Sequence, residues 1–244
     1  MIFLLVLLFA AQARISESVL PSLAYSHACF TTVAIRNLGD RVVNAQVEPH
    51  RESGSLVPFT EQTGLTLQLA PGEEKRLTLK LPEATENAWL SVRETVPGPT
   101  LTPALLITGE TVCTNGAQTH TAIREIAHPT ANPWFEGDVS DLTGARLTVV
   151  NTSEAFATVT GCYSGGTLVS NPNVPGGANL TPLCSYRFRE QIPPFSARQF
   201  PVIRDGNSHF ALHTSGRGIA LQMLRLLDAG TQLFQVDSSI AFGK

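Results

Sequence analysis

The sequence predicts an all-β protein built as two antiparallel β-sandwich domains in tandem. Three observations carry that expectation. Charged residues make up only 15% of the 244 residues, below the roughly 25% of an average soluble domain. The 19 glycines and 16 prolines supply many turns. Several short runs alternate apolar and polar residues with a period of two, as a half-buried strand does.

The runs follow in order. Thr31 to Arg36 leads into the turn Asn37-Leu38-Gly39-Asp40, and Arg41 to Glu48 returns with Val43, Ala45 and Val47 on one face. Leu65, Leu67 and Leu69 share a side, Pro71-Gly72 turns the chain, and Arg76 to Leu81 alternates again. Each strand should have one dry and one wet face. Asn115-Gly116 between two strand-like runs is a strong hairpin signal, because both central residues must tolerate positive φ. His128-Pro129-Thr130-Ala131-Asn132-Pro133 then reads as a linker, dividing a first domain over 24–128 from a second over 129–244. The segment Ala220 to Ala229 has high helix propensity. It lacks an N-cap and is followed by a strand-like stretch, so it reads as a buried strand.

The second half repeats the first in outline. Ala145 to Ser153 parallels Thr32 to Gly39, both being apolar strands that end in Asn and a turn. Phe156 to Tyr163 parallels Arg41 to Glu48, and Ile192 to Phe200 parallels Leu69 to Leu77. A duplicated domain explains the shared order.

The N-terminus bears on address. Ile2 to Ala11 is an unbroken apolar run followed by Ala11-Gln12-Ala13, the layout of a secretory signal peptide over residues 1–13. The run is shorter than the about 20 residues of a membrane span, and no span is expected in the mature chain. The expected location is secreted or periplasmic. Four cysteines suit an oxidising compartment. Of three possible pairings, Cys29–Cys113 and Cys162–Cys184 keep each bridge inside one domain. No C-x-x-C pair is present, which removes zinc-ribbon and thioredoxin-type chemistry. The net charge of −3 argues against nucleic acid as the main partner.

No motif points to catalysis, a metal or a cofactor, and a non-enzymatic protein without cofactors is expected. His120, Glu125 and His128 do not form H-E-x-x-H, and His209 and His213 lie about 13 Å apart along a strand. A Ser-His-Asp triad needs no sequence proximity, but no G-x-S-x-G elbow supports one. Asn151-Thr152-Ser153 and Asn179-Leu180-Thr181 fit glycosylation acceptors. The candidate binding surface is the long loop Gly165 to Leu183, with Asn171 and Asn173, next to Tyr186, Arg187, Phe188 and Arg189. Aromatic and arginine side chains are the types enriched at interfaces.

The strand-Asn-turn pattern at Ile35-Arg36-Asn37 and Val149-Val150-Asn151 resembles the tandem immunoglobulin-like or fibronectin-III-like domains of bacterial exported envelope proteins. The resemblance implies two immunoglobulin-like sandwiches and a non-enzymatic module that meets protein or glycan partners through strand edges and loops. Periplasmic pilus chaperones share the two-domain layout, so an assembly chaperone using edge-strand donation is one alternative. A secreted hydrolase with a dispersed triad is another.

Overall fold

The computed structural model describes residues 13–23, 29–57, 65–78, 88–97, 102–115, 118–124, 126–140, 142–170, 180–227 and 232–235. All sixteen elements among them are strands. The first eight are β1 (Arg14–Leu23), β2 (Cys29–Asn37), β3 (Val43–Arg51), β4 (Leu65–Leu69), β5 (Glu74–Thr78), β6 (Ala88–Val96), β7 (Leu105–Asn115) and β8 (Gln118–Arg124). The next eight are β9 (Trp134–Asp138), β10 (Ala145–Asn151), β11 (Ala157–Ser170), β12 (Leu180–Ile192), β13 (Ser196–Pro201), β14 (His209–Ser215), β15 (Ile219–Leu227) and β16 (Gln232–Gln235).

The strands form four antiparallel sheets, ordered β1-β6-β3-β4, β5-β2-β7-β8, β12-β11-β14-β9 and β13-β10-β15-β16. Adding eight to each strand number of the first half reproduces the order of the second. The duplicated outline expected from the sequence therefore holds at the level of connectivity. Within the first half, Leu20, Ala45, Leu69 and Leu90 from one sheet share a core with Val33, Ile35 and Ile107 from the other. In the second, Leu147, Val149, Phe200 and Leu221 meet Val159, Ile192, Phe210 and Leu212. Each half is thus a two-sheet sandwich. The pairs β2–β5 and β3–β6 match the B–E and C–F neighbours of an immunoglobulin sandwich. Two strands differ: β1 pairs with β6 and not with β2, and β7, which would be the seventh strand of that frame, pairs with β2 and not with β6.

A buried asparagine closes the same corner in each half. Asn37 ends β2 and is fully buried. Its amide donates to the carbonyls of Arg41 (2.7 Å) and Leu69 (3.0 Å), and its Oδ1 accepts from the Gly39 N–H (2.9 Å). Asn151 ends β10 and is equally buried. It donates to Ala155 (2.8 Å), Ile192 (3.2 Å) and Pro193 (3.0 Å), and accepts from Ser153 N–H at 3.1 Å. Each amide ties the end of one sheet to a strand of the facing sheet. Asn supplies both two donors and an acceptor in a side chain short enough to reach them.

The halves are not beads on a free linker. Val19, Trp89, Val150, Ala197 and Ala220 form a third buried cluster between the sheets β1-β6-β3-β4 and β13-β10-β15-β16. Strands β6 and β10 are consequently buried on both faces over most of their length, which corrects the expectation of one wet face. The connecting segment is pinned on both sides. Ala127 exchanges two hydrogen bonds with Val19, and Thr130 exchanges two with Ile219. Across the seam Ala197 N–H bonds to Glu52 O at 2.9 Å. Phe195 lies at φ 51°, where a non-glycine residue costs roughly 1–2 kcal/mol. The equivalent turn position in the first half is Gly72, at φ 77°. The strain at Phe195 is offset by packing of its ring against the seam cluster. Gly54 lets the backbones close in, since a Cβ there would sit 2.5 Å from Phe195 O.

Other expectations shift. No alternating run marks Arg14–Leu23 in the sequence, yet it forms strand β1 and pairs with β6. Ala220 to Leu227 is a strand, as read. The β7–β8 hairpin forms, with Asn115 paired to Gln118. The intervening residues are therefore 116 and 117, one step later than expected, and they lie outside the described residues. The segment Gly165 to Leu183 is not a loop throughout: β11 continues to Ser170, and Ser170 pairs with Leu180. Asn171 and Asn173 lie outside the described residues, as do residues 1–12.

His50 stacks on Trp89 at 4.2 Å and 10°. Its Nδ1 lies 3.2 Å from Gly54 O, and its Nε2 is 3.8 Å from Glu48. Burial pushes its pKa below the usual value. The unfolded chain therefore binds the proton more readily than the folded one, and stability is lost as pH falls below about 6.5. Chemical denaturation across pH 7 to 5 checks this: His50→Gln should flatten that part of the profile. Asn37→Ala and Asn151→Ala should each lower stability by about 2–4 kcal/mol, because each strands buried carbonyls without donors. A loss below about 0.5 kcal/mol, the scale of an ordinary surface change, would contradict the role assigned to these amides.

Candidate functional site

The second sandwich opens between its edge strands β12 and β13. There an open cavity of about 420 Å³ is lined by aromatic side chains at its base and charged ones at its rim. Alternation along β12 decides which residues reach it. Tyr186, Phe188 and Glu190 pair with Tyr163, Gly161 and Val159 of β11. Tyr163 and Val159 are buried core residues, so these three face inward. Arg187 and Arg189 pair with Cys162 and Thr160 and sit on the opposite, exposed face. The expected surface of four alternating residues is therefore split. Its aromatic half lines the cavity, and its arginines do not.

The base is a chain of rings. Tyr163 and Phe188 have centroids 5.8 Å apart, and Phe188 stacks on Phe200 at 5.2 Å. Phe188 can lie flat across β11 only because its partner is glycine. A Cβ on Gly161 would sit 2.0 Å from the ring. The equivalent position in the first half is Val47, a plain core residue. The Tyr163 hydroxyl donates to Pro201 O, and burial pushes its pKa up to about 12. It is a neutral structural donor at physiological pH.

At the rim, the Arg204 guanidinium stacks over Tyr186 with its carbon 3.8 Å from the ring centroid. Its ion pair is with exposed Asp205, at 3.4 Å. Arg198 reaches back across the seam to Glu52 at 3.5 Å. Cys162 and Cys184 are joined, with Cα atoms 5.5 Å apart. The bridge clips the β11–β12 hairpin and stabilises it by roughly 3 kcal/mol through the unfolded chain. Cys29 and Cys113 stand directly opposite in register, which puts their Cα atoms within bridging range. Their side chains lie outside the described set.

Other candidates do not assemble. Register places Ser164 opposite His209, and His209 opposite Asp138. The Ser164 hydroxyl is buried without a hydrogen-bond partner, however, and His209 Nε2 lies 3.4 Å from Glu136. That is no nucleophile–base pair. His213 packs against Trp134 at 5.9 Å on the outer face. Asn151 cannot accept a glycan, since its amide is buried and bonded; Asn179 is outside the described residues. No group of three metal-ligating side chains occurs among the described residues, and no helix there is long and apolar enough to cross a membrane. His120 and Glu125 lie outside the described side chains. Buried Glu94 is satisfied by the N–H groups of Ala104 and Leu105 and by Arg41.

Sequence reading missed Gly161, Tyr163, Phe200, Arg198, Arg204 and Glu52. A glycine within a strand marks close approach of another group, and Gly161 carries that signal. Glu52 lies far from the rest in sequence, and only the seam brings it in. Comparison with protein-family models, with curated proteins and with solved structures finds no match.

Gly161→Val should displace Phe188 and close the base of the cavity. The expected outcome is a folded protein less stable by about 1–3 kcal/mol, the range of overpacking, with altered near-UV circular dichroism from Tyr163 and Tyr186. Wild-type stability and spectrum would refute the packing of Phe188 on Gly161.

Proposed function

We propose that this chain is an exported, non-enzymatic binding module of the cell envelope or secretome. On this reading it is two immunoglobulin-like sandwiches, the second of which carries the binding surface for a protein or glycan partner. The observation that carries it is the aromatic-based, charge-rimmed cavity between β12 and β13. Concave sites with apolar walls and a few polar groups are the usual form of binding sites. Its position adds weight. In the second half the β11–β12 pairing continues past the Gly161–Phe188 pair, at the cavity, into a disulfide-clipped hairpin. The apolar run Ile2 to Ala11 with Ala11-Gln12-Ala13, together with a bridge at Cys162–Cys184, supports export.

The chaperone alternative draws no support from β12, an edge strand whose inward Glu190 and flanking arginines discourage strand pairing. The hydrolase alternative draws none from Ser164, His209 and Asp138, for the reasons above.

The test is retention of envelope and culture-supernatant material on immobilised mature chain, compared with Tyr186→Ala. The expected result is a chemically unaltered partner held by the wild type and reduced about tenfold or more by the substitution, the effect of losing about 1.4 kcal/mol. Equal retention by both, or turnover of the bound partner, would sink this reading.

A further inference from the structure

We infer that the β12–β13 cavity takes an acidic sugar residue, with the sugar carboxylate held by Arg204. This rests on the binding reading above and names its ligand class. Three features converge. Arg204 is a planar, permanently charged donor whose orientation is set by the Tyr186 ring 3.8 Å beneath it. A guanidinium has five N–H donors, enough to make a two-point bond to a carboxylate in exchange for its exposed partner. Its present partner, Asp205, has a side chain 86% exposed, and an exposed pair of this kind is weak enough to exchange. Arg198 also lines the cavity and pairs with Glu52 at 3.5 Å; Arg204 differs from it in lying over an aromatic ring that fixes its position.

The walls fit a sugar. Tyr186 is 41% exposed and, beside the Arg204 guanidinium, offers apolar ring surface to the C–H face of a pyranose. A volume of about 420 Å³ lies within the range of small-ligand sites. Glu190 and Gln199 also line the cavity and present hydroxyl acceptors. Glu190 stands four residues from Tyr186 along β12, about 13 Å away. The cavity is therefore polarised, cationic at Arg204 and anionic at Glu190. A carboxylate binds at the first end, and hydroxyls face the second. A peptide strand is disfavoured because Glu190 points inward from the edge it would pair with. Nucleic acid is disfavoured by the net charge of −3.

Calorimetric titration of the full mature chain tests this with three probes: trigalacturonate, N-acetylneuraminyl-lactose and a muramic-acid disaccharide. Each is paired with its methyl ester, which removes the carboxylate charge and little else. At least one acid should bind saturably, its ester about tenfold or more weakly, and Arg204→Ala should lower affinity for the acid to the level of the ester. Arg76→Ala, in the first half, should change nothing. If acid and ester bind alike and Tyr186→Ala abolishes both, the cavity is a binding site but the acidic class is wrong. If none of the acids binds up to roughly 5 mM, or Arg204→Ala leaves binding intact, the inference is overturned. A Tyr186-dependent protein partner in the retention experiment would still leave the wider reading standing.

Discussion

A carboxamide buried in a β-sandwich is costly unless each of its hydrogen-bonding sites is used. Asn37 and Asn151 meet that demand in the same manner. Each sits where a strand of one sheet ends and the chain crosses to the other. Each bonds forward to a carbonyl two residues before the new strand and sideways to the strand that closes the facing sheet. The corner thereby fixes the register of three segments at once, and a one-residue slip would leave several buried groups unpaired. The rest of each half hangs on that corner: the alternating core strands β3 and β11 begin from it, and the Pro-containing turns at Pro71 and Pro194 lie against it.

With the frame duplicated, the differences between copies become informative. Where the first copy has Val47, the second has Gly161, and an aromatic ring fills the freed space. Where the first turns at Gly72, the second turns at strained Phe195, whose ring joins the seam. The first change opens a cavity wall. The second binds the two copies together and brings Glu52 of the first to the rim of a cavity in the second. The seam thus takes part in building the cavity, because the Arg198–Glu52 pair that lines it joins residues of the two copies.

Much of the architecture was legible in the sequence. The period-two runs around Val43 and Leu67 located strands, and the recurrence of strand, Asn and turn located the repeat. The burial of Ala220 to Met223 was read correctly despite its helical propensity, since packing overrides propensity in such a segment. Strand β1 escaped because Glu17 and Ser18 interrupt its pattern; Glu17 accepts from Ser91 and Arg93, and the Ser18 hydroxyl lies 3.4 Å from His128 Nδ1. The site was half legible. Tyr186 and Phe188 were found by residue type, but which face they share with Arg187 and Arg189 depends on register, and that needs the partner strand. Arg204 and Glu52 reach the cavity through turns and the seam, which leave no local periodicity to read.

The dependence of both halves on their buried amides is tested most directly by hydrogen exchange. The Gly39 N–H bonds to Asn37 Oδ1 at 2.9 Å, and the Ser153 N–H bonds to Asn151 Oδ1 at 3.1 Å. Turn amides ordinarily exchange through small local openings. If the asparagines lock these corners, both amides should exchange only with the slow, global opening that governs the core strands. Fast exchange at either position, with the neighbouring strands still protected, would contradict the account.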